Sequence, residues 1–342
     1  MTQIEIFSCT RQSDFIFRSA FISAHLQPVC LSPRLRVSAV KIPSLCVLSA
    51  FAVQFPRMQL KQAVDSAYQL FVENDVPSPR LNAELLLLFV LSRERAYLYA
   101  HPERELTPDE QANFDEVVRE RARGCPTQYI TGHQEFWGLD LLVSPAVLIP
   151  RPETEHVVET VLELVKEYPF DGPGRLRLLD VGTGSGCIAL ALASELPHAE
   201  IHACDISEEA LEIARVNAAR LALGGKVLFR KSDLLRVYAG EQFDFVISNP
   251  PYVGECDADK VQKQVREFEP KVAVFSGHEG MDVYRKLVPQ AHEHLRPGGW
   301  LVAEIGYSEE DNIRNLLAGW AEIQVTPDLQ GIPRVVAAKK TS

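Results

Sequence analysis

The chain has 342 residues, a formal net charge of -11 and 46% hydrophobic residues. That length is enough for about two domains with a sizeable core, and the composition is ordinary for a globular protein. The acidic balance makes the chain a poor electrostatic match for nucleic acid, because phosphate contacts supply much of the affinity of nucleic-acid-binding proteins. We therefore expect no direct nucleic-acid partner.

The seven cysteines are an odd number, none of them forms a C-x-x-C pair, and the nine histidines are scattered. This usage indicates reduced thiols in a cytoplasmic protein, so we expect neither a disulfide framework nor a metal site. The apolar pieces near the N-terminus, such as residues 47–53, are too short to span a bilayer. We expect no membrane association.

Residues 1–57 differ from the rest of the chain. They contain six basic residues against Glu5 and Asp14, and they are rich in serine without a clear hydrophobic period. This composition is typical of an organellar transit peptide, and it also fits upstream sequence ahead of a true start at Met58. The second interpretation is slightly favoured, because a helical pattern begins directly after Met58. Either way we expect a poorly ordered extension, with an organellar location if the transit peptide is genuine.

Residues 58–124 carry a helical pattern. Apolar side chains recur at helical spacing over residues 60–71 and again over residues 79–91. Thr107 and Pro108 then form a good start for a further helix, since Thr is a preferred N-cap and Pro is favoured at the first helical position. The pattern predicts a small helical domain. It is either a recognition module for a substrate partner or a stabilising cap.

Residues 125–152 show the shorter period of β-structure. Residues 128–130, 135–137 and 139–143 predict the strands of a connecting hairpin. The turn residues that interrupt these strands are Gly132, Gly138 and Pro145. We expect this segment to be a β-hairpin linker.

Residues 153–342 alternate between helical and strand patterns. Strands are predicted at residues 176–181, 200–205, 226–232, 243–248, 300–305, 321–326 and 334–339. Residues 148–155 are a Pro-rich entry into a predicted helix that runs to about residue 166, and further helices are predicted at residues 186–196, 208–222, 281–294 and 308–318. Such alternation is typical of a doubly wound α/β domain with a mostly parallel sheet.

A glycine-rich turn follows the first strand of this domain. Its sequence is Asp180-Val181-Gly182-Thr183-Gly184-Ser185-Gly186-Cys187. Glycines let a backbone turn tightly and approach a ligand. A dinucleotide-binding fingerprint would need Gly at position 187, and a phosphate-binding loop would need a Gly-Lys-Ser/Thr ending, so neither assignment fits.

The sequence Asn249-Pro250-Pro251-Tyr252 follows the buried strand at residues 243–248. Proline cannot continue a central strand because it lacks the N–H, so the chain turns out at the carboxyl edge of the sheet. Open α/β sheets bind their ligands at this edge. Unpaired carbonyls beside an Asn amide are suited to hold an NH2 group, although Asn before Pro is also a common turn former.

The glycine-rich turn resembles that of the class I S-adenosylmethionine methyltransferases, whose fold is Rossmann-like with a mostly parallel seven-stranded sheet. The Asn-Pro-Pro-Tyr sequence is similar to that of methyltransferases acting on NH2 groups of adenine, cytosine or glutamine. This motif does not choose among the three substrates.

The flanking segments resemble the HemK/PrmC family of protein-glutamine N5-methyltransferases. The matching pieces are Pro126-x-Gln128-Tyr129-Ile130-x-Gly132, Leu148-Ile149-Pro150-Arg151-Pro152-Glu153-Thr154-Glu155, Phe268-Glu269-Pro270 and Gly277-His278-Glu279-Gly280-Met281-Asp282-x-Tyr284. The resemblance covers about residues 58–339. It implies methyl transfer to the glutamine of the Gly-Gly-Gln loop of peptide chain release factors, with S-adenosylmethionine as the cofactor.

The resemblance also implies roles for particular residues. Asp205 would bind the ribose hydroxyls, and Asp233 and Leu234 would flank the adenine. The cofactor-binding set is Asp180, Gly182, Thr183, Gly184, Ser185, Gly186, Asp205, Asp233, Leu234 and Asn249. The catalytic set is Asn249, Pro250 and Tyr252, and the substrate-binding set is Asn249, Pro250, Pro251, Tyr252, Arg151 and Glu153.

Several alternatives stay open at this point. Arg151 and Glu153 also fit ordinary helix-start chemistry beside Pro152. A ribosomal-protein glutamine is an alternative substrate. A nucleic-acid adenine is a weaker one, because the chain is acidic and has no evident domain for base flipping. We expect a monomer.

Overall fold

A computed structural model describes residues 57–167 and 174–341. The extension predicted at residues 1–57 lies outside the described residues except for Arg57. The helices are α1 Leu60–Glu73, α2 Pro79–Leu91, α3 Arg95–Ala100, α4 Pro108–Ala122, α5 Thr127–Thr131, α6 Glu155–Glu167, α7 Cys187–Glu195, α8 Glu208–Arg220, α9 Lys263–Phe268, α10 Lys271–Val274, α11 Asp282–His294 and α12 Glu310–Leu316. The strands are β1 His133–Phe136, β2 Leu139–Leu142, β3 Arg177–Val181, β4 Glu200–Asp205, β5 Val227–Lys231, β6 Phe243–Ser248, β7 Leu295–Glu304, β8 Ala321–Pro327 and β9 Pro333–Lys339.

Helices α1 to α4 pack around a core of their own. Its largest fully buried side chains are Leu60, Phe71, Leu86, Leu87 and Leu106. The start of α4 is a capping box, in which Thr107 Oγ1 accepts a hydrogen bond from the Glu110 N–H and Glu110 Oε2 accepts one from the Thr107 N–H. The predicted helix start at Thr107 and Pro108 is confirmed. The short helix α3 was not predicted.

The linker prediction was wrong in one of its three strands. Residues 128–130 lie in helix α5, which begins after Pro126 and ends at Gly132 in the left-handed conformation. The turn is closed by hydrogen bonds from the Ile130 N–H to the Pro126 carbonyl and from the Gly132 N–H to the Gln128 carbonyl. The hairpin of β1 and β2 follows as predicted, with Trp137 and Gly138 both at positive φ in its tight turn.

A seven-stranded sheet forms the larger part of the chain. Its strand order is β5-β4-β3-β6-β7-β9-β8. The first five strands in that order run parallel, and β9 and β8 complete the sheet in antiparallel pairs. Strands β4 and β5 are added on one side of β3, whereas β6 and β7 are added on its other side, so the strand order reverses between β3 and β6. This is the switch point at which doubly wound sheets open a crevice for ligands.

Successive side chains of the central strands lie on opposite faces of the sheet. On β6, Phe245 and Ile247 pack with α6 and α7 on one face, and Val246 packs with α11 on the other. Both faces are therefore buried, which explains the almost continuous apolar run of this strand. The predicted strand ends agree with the structure to within about a residue except at β7. That strand begins at Leu295 and passes an irregularity near Gly298 before Trp300.

Within the described residues, no helix is long and apolar enough to cross a membrane. The same part of the chain contains no group of three His, Cys, Asp or Glu side chains that could hold a metal ion.

Candidate active site

Two cavities meet at the carboxyl edge of the sheet, beside the switch point. One, called here the loop cavity, has a volume of about 290 Å³ and is lined by the glycine-rich turn after β3. The other, called here the NPPY cavity, has a volume of about 430 Å³ and is lined by residues 250–253. Both are lined by Leu148, Arg151, Asn249, Pro251 and Ala273. Asn249 therefore stands where the two cavities meet.

The glycine-rich turn needs its glycines for two different reasons. Gly182 and Gly184 have φ angles of 76° and 55°, and a Cβ atom added to either would meet nothing within 4 Å. They shape the wall of the loop cavity. Gly186 does not line this cavity, because it lies at the start of α7 with φ at 85°. A Cβ atom there would lie 3.1 Å from Leu190 and 3.2 Å from Ala214.

Asp180 lies beneath the turn and does not line the loop cavity. Its Oδ2 atom accepts hydrogen bonds from Thr183 Oγ1 at 2.6 Å and from the Ala189 N–H at 3.2 Å. Burial raises the pKa of Asp180 to about 7. The structure thus gives Asp180 a contact with the turn itself, so the cofactor contact predicted for it remains a prediction.

Asp205 ends β4 and lines the loop cavity. Its Oδ2 atom accepts the Gly184 N–H and its Oδ1 atom accepts the Ser207 N–H, both at 2.9 Å. These two donors fix the plane of the carboxylate and leave further lone pairs on each oxygen. Burial raises the pKa of the Asp205 carboxyl, and the two backbone donors oppose that effect. The carboxylate is suited to accept hydrogen bonds from a pair of hydroxyl groups.

The remaining predicted residues of the loop cavity also lie on its wall. Thr183 and Ser185 belong to the turn, and Asp233 and Leu234 follow β5. Leu234 has φ at 53°, an uncommon conformation for a side chain other than Gly. Asp233 pairs with Arg236 at 3.0 Å near the surface. The Ser185 Oγ atom is buried and has no hydrogen-bond partner among the described residues, so a polar ligand would satisfy it.

The Asn249 side chain is tied to a buried carboxylate. Asn249 Nδ2 donates to Thr154 Oγ1 at 3.0 Å, and Thr154 Oγ1 donates to Glu304 Oε2 at 2.6 Å. Tyr252 O–H donates to the other oxygen of Glu304 at 3.1 Å. The negative charge of Glu304 and burial together raise the pKa of the Tyr252 phenol. One carboxylate therefore orients two of the predicted catalytic side chains.

The sequence-based reasoning assigned no role to Thr154 or Glu304. Thr154 was quoted as part of a flanking motif, and Glu304 was placed inside the predicted strand at residues 300–305. A signal was present, because an acid at the end of an apolar strand beside the Asn249 strand is expensive to bury without a function. Burial raises the pKa of Glu304, while the positive charge of Arg334 opposes the rise.

Arg151 and Glu153 line the NPPY cavity, as predicted for substrate-binding residues. Arg151 Nη2 donates to Glu269 Oε1, and the Ile149 N–H donates to Glu269 Oε2 at 3.2 Å. The Glu269 side chain is fully buried. This carboxylate joins the loop before α6 to the segment carrying α9 and α10, so Arg151 is fixed from behind. Glu269 was also assigned no role from the sequence.

Helix α4 reaches the wall of the NPPY cavity. Arg121 Nη2 donates to Gln264 Oε1 at 3.1 Å, and Gln264 lines the cavity from α9. Arg121 Nε donates to Asn82 Oδ1 at 2.9 Å, which connects the same guanidinium to α2. Burial lowers the pKa of Arg121. The N-terminal helices are thus in direct contact with a residue that lines the NPPY cavity.

The comparisons with known proteins agree with this arrangement. The PrmC N-terminal domain family matches residues 62–132, and the methyltransferase small domain family matches residues 164–267. Together with the seven-stranded sheet and the paired cavities, these matches define the protein as an enzyme with a class I methyltransferase fold.

Proteins with similar sequences show which methyltransferase family the chain belongs to. The release factor glutamine methyltransferase of Koribacter versatilis is 58% identical over 284 residues, which are 83% of this chain and 99% of that protein. The protein of the same name from Geobacter sulfurreducens is 38% identical over 282 residues, 82% of this chain and 96% of that one. The chain belongs to the release factor glutamine methyltransferase family. The structure of a methyltransferase from Pyrococcus furiosus is a more distant likeness, with 21% identity, a TM-score of 0.44 and coverage of 60% of this chain and 90% of that one.

Proposed function

We propose that the enzyme transfers a methyl group from S-adenosylmethionine to the side-chain amide nitrogen of the glutamine in the Gly-Gly-Gln motif of peptide chain release factors. The name shared by its relatives supports the substrate. The loop cavity is proposed as the cofactor site and the NPPY cavity as the site of the glutamine side chain.

The residues of the loop cavity fit this cofactor. The oriented carboxylate of Asp205 is suited to the two ribose hydroxyls, Leu234 offers an apolar surface to the adenine, and Ser185 Oγ is a buried polar atom that lacks a protein partner. When bound, S-adenosylmethionine supplies a methyl carbon that is activated by its positively charged sulfur. The enzyme therefore needs to orient the substrate more than to activate the methyl group.

Asn249 is the residue proposed to orient the substrate. Its Nδ2 atom donates to Thr154, so its Oδ1 atom is left to accept a hydrogen bond in the region where the cavities meet. We propose that Asn249 Oδ1 and the Pro250 carbonyl accept the two N–H groups of the glutamine amide. This holds the amide nitrogen at the junction of the cavities. Orientation of this kind can supply up to roughly 7–11 kcal/mol of a reaction barrier.

No strong general base is required for this transfer. The amide proton becomes acidic only as the new nitrogen–carbon bond forms, so it can leave to water. Tyr252 walls the NPPY cavity through its ring, and its hydroxyl is already committed to Glu304. Arg151 and Glu153 line the approach, where they can contact the backbone of the substrate loop.

The helices of residues 58–124 are proposed to recognise the release factor, with residues 125–152 as a linker and residues 153–342 as the catalytic part. The contact of Arg121 with Gln264 supports this proposal, because it joins the helices to the wall of the substrate cavity. A cap with a purely stabilising role would not need to reach that wall.

The observation that carries the proposal is the orientation of the Asn249 amide between two adjoining cavities. Its test is transfer of labelled methyl from S-adenosylmethionine by the full chain. The acceptors are a release factor, the same factor with its loop Gln replaced by Ala, total ribosomal protein, and DNA. Label on the wild-type factor alone is the expected result. Label on ribosomal protein alone or on DNA, or equal label on the Gln→Ala factor, would refute the proposed substrate.

A further inference from the structure

A buried carboxylate controls the polarity of the hydrogen bonds that reach Asn249. Glu304 ends β7 and is 2% exposed. Each of its two oxygens accepts a hydrogen bond from a hydroxyl group, one from Thr154 at 2.6 Å and one from Tyr252 at 3.1 Å. Burial raises the pKa of Glu304, and three groups oppose that rise: the two hydroxyl donors and Arg334 of β9, which lines the NPPY cavity together with Glu304.

The direction of these bonds follows from the chemistry of the groups. An ionised carboxylate can only accept, so the single proton of the Thr154 hydroxyl points to Glu304. The Thr154 oxygen is then left as an acceptor on the side of Asn249. Of the two ends of an amide, only the NH2 end can donate to it. The Nδ2 end of Asn249 is therefore held at Thr154, and the Oδ1 end faces the junction of the cavities.

A reversed amide would defeat the proposed reaction. The two ends of an Asn side chain have nearly the same shape, so packing alone does not choose between them. If Asn249 turned over, its NH2 group would meet the NH2 group of the substrate, and two donors would oppose each other. The Asn249 orientation that binds the substrate thus depends on the direction of the hydrogen bonds that Glu304 sets through Thr154.

We propose that Glu304 is a positioning residue that acts through Thr154 to fix which end of the Asn249 amide faces the substrate. This inference rests on the proposed function, since it assumes that an NH2 group is the acceptor of the methyl group. Glu304 need not contact the substrate or the cofactor to exert this effect.

The test compares isosteric variants in the methyl transfer assay with the release factor. Glu304→Gln removes the obligatory acceptor, because a neutral amide can present its NH2 end to Thr154. Thr154→Val removes the hydroxyl while keeping the shape. Each is expected to lower kcat by roughly 10-fold to 100-fold, the range associated with a misplaced reacting group. The KM for the release factor and the Kd for S-adenosylmethionine, measured by calorimetry, are expected to change by less than about threefold.

Two further variants act as controls. Thr154→Ser keeps the hydroxyl and is expected to recover most of the activity that Thr154→Val loses. Thr160→Val removes a buried hydroxyl from α6, the helix that begins directly after Thr154. That hydroxyl donates only to the His156 carbonyl, so the change is expected to leave kcat unchanged. This separates the loss of a hydrogen bond at the site from a general loosening of α6.

The double variant of Glu304→Gln with Thr154→Val decides whether the two residues act in one chain. We expect its kcat to be about equal to that of the less active single variant, because either change alone already frees the Asn249 amide to turn over. If the losses in kcat of the two single variants multiplied in the double variant, or if KM rose without a fall in kcat, Glu304 would act directly on the substrate. Either result would overturn the inference.

Folding is monitored by thermal melting. If Glu304→Gln proves unstable, Thr154→Val with its Ser and Thr160 controls still decides the outcome, and a wild-type kcat in Thr154→Val overturns the inference. Failure of the wild-type enzyme to label the release factor would instead refute the proposed function, and this inference with it.

Discussion

Replacing Asn249 by Asp tests the role of its amide more sharply than truncation does. The change exchanges Nδ2 for an oxygen and adds a negative charge, with almost no change in shape. The 3.0 Å and 2.6 Å hydrogen bonds place Asn249 Nδ2 at most about 5.6 Å from Glu304 Oε2. A new carboxylate would therefore lie close to one that is already buried.

The magnitude follows from this distance. Two like charges 5.6 Å apart repel by about 3 kcal/mol at an effective dielectric constant of about 20. The pKa of the new carboxyl is then expected to rise from its usual value of about 3.9 to roughly 6, and burial raises it further. Because the pKa is raised, the neutral form of the new carboxyl persists to higher pH than usual.

The neutral carboxyl resembles the original amide. Its O–H can donate to Thr154, and its carbonyl oxygen can accept from the substrate. The charged form has no proton to donate and repels Glu304. Activity of the Asn249→Asp enzyme, relative to the wild type, is thus expected to be present below the raised pKa and to be lost as the pH rises through it.

The assay is single-turnover methyl transfer to the release factor between about pH 5.5 and pH 8.5. Asn249→Ala is the matched control, since it removes the amide without adding a titrating group, and its activity relative to wild type should be low and independent of pH. A rate for Asn249→Asp that stays close to wild type at every pH would contradict the proposed role of the amide. So would wild-type turnover by Asn249→Ala.

Three other predictions concern the loop cavity and its support. Asp205→Asn leaves one backbone N–H facing an NH2 group, so the affinity for S-adenosylmethionine should fall by roughly 10-fold to 100-fold in calorimetry; an unchanged Kd would exclude the proposed ribose contact. Gly186→Ala should lower the free energy of unfolding by about 1–3 kcal/mol in denaturant titrations, because a side chain is crowded there and φ is positive. The control Gly225→Ala, with nothing within 4 Å, should stay within about 0.5 kcal/mol, and equal losses would remove the packing argument. The pKa of Asp180 is about 7 in the folded chain and about 4 in the unfolded chain, so between these pH values only the folded chain holds the proton. The free energy of unfolding should therefore fall as the pH rises from about 4 to 7. Asp180→Asn should abolish this part of the pH dependence of Tm, and an unaltered Tm profile would argue against it.

Most of the sheet could be predicted because its strands are short, apolar and bounded by turn residues. Strand β6 shows why the signal was strong, since residues 243–248 are buried on both faces and end at two prolines. The glycine-rich turn and Asp205 were located from the same pattern, as ends of successive parallel strands.

The errors arose where local pattern was ambiguous. The pattern of residues 128–130 fits a strand and a short helix equally well. In the structure these residues form helix α5, which lies between Pro126 and Gly132. Strand β7 was predicted to start at Trp300, yet it begins at Leu295, which pairs with Phe243 before an irregularity in the register.

The supporting residues of the site could not be predicted from the sequence pattern. Thr154 and Glu304 are 150 positions apart in the chain, and Arg151 and Glu269 are 118 apart. Only the packing of α6 and of the α9–α10 segment against the sheet brings these pairs together. Apart from Asp180 and Gly186, the residues that the motifs singled out line the cavities, whereas the buried acids Glu269 and Glu304 required the structure. The expected monomer stays a prediction.

The most direct measurement of the central claim is the position of the methyl group itself. A release factor is incubated with the full chain and S-adenosylmethionine, digested, and sequenced by tandem mass spectrometry. The account predicts one added methyl group on the side-chain amide of the glutamine in the Gly-Gly-Gln motif, and none after incubation with the Asn249→Ala enzyme. A methyl group on any other residue, or an unmodified glutamine after complete cofactor turnover, would contradict it.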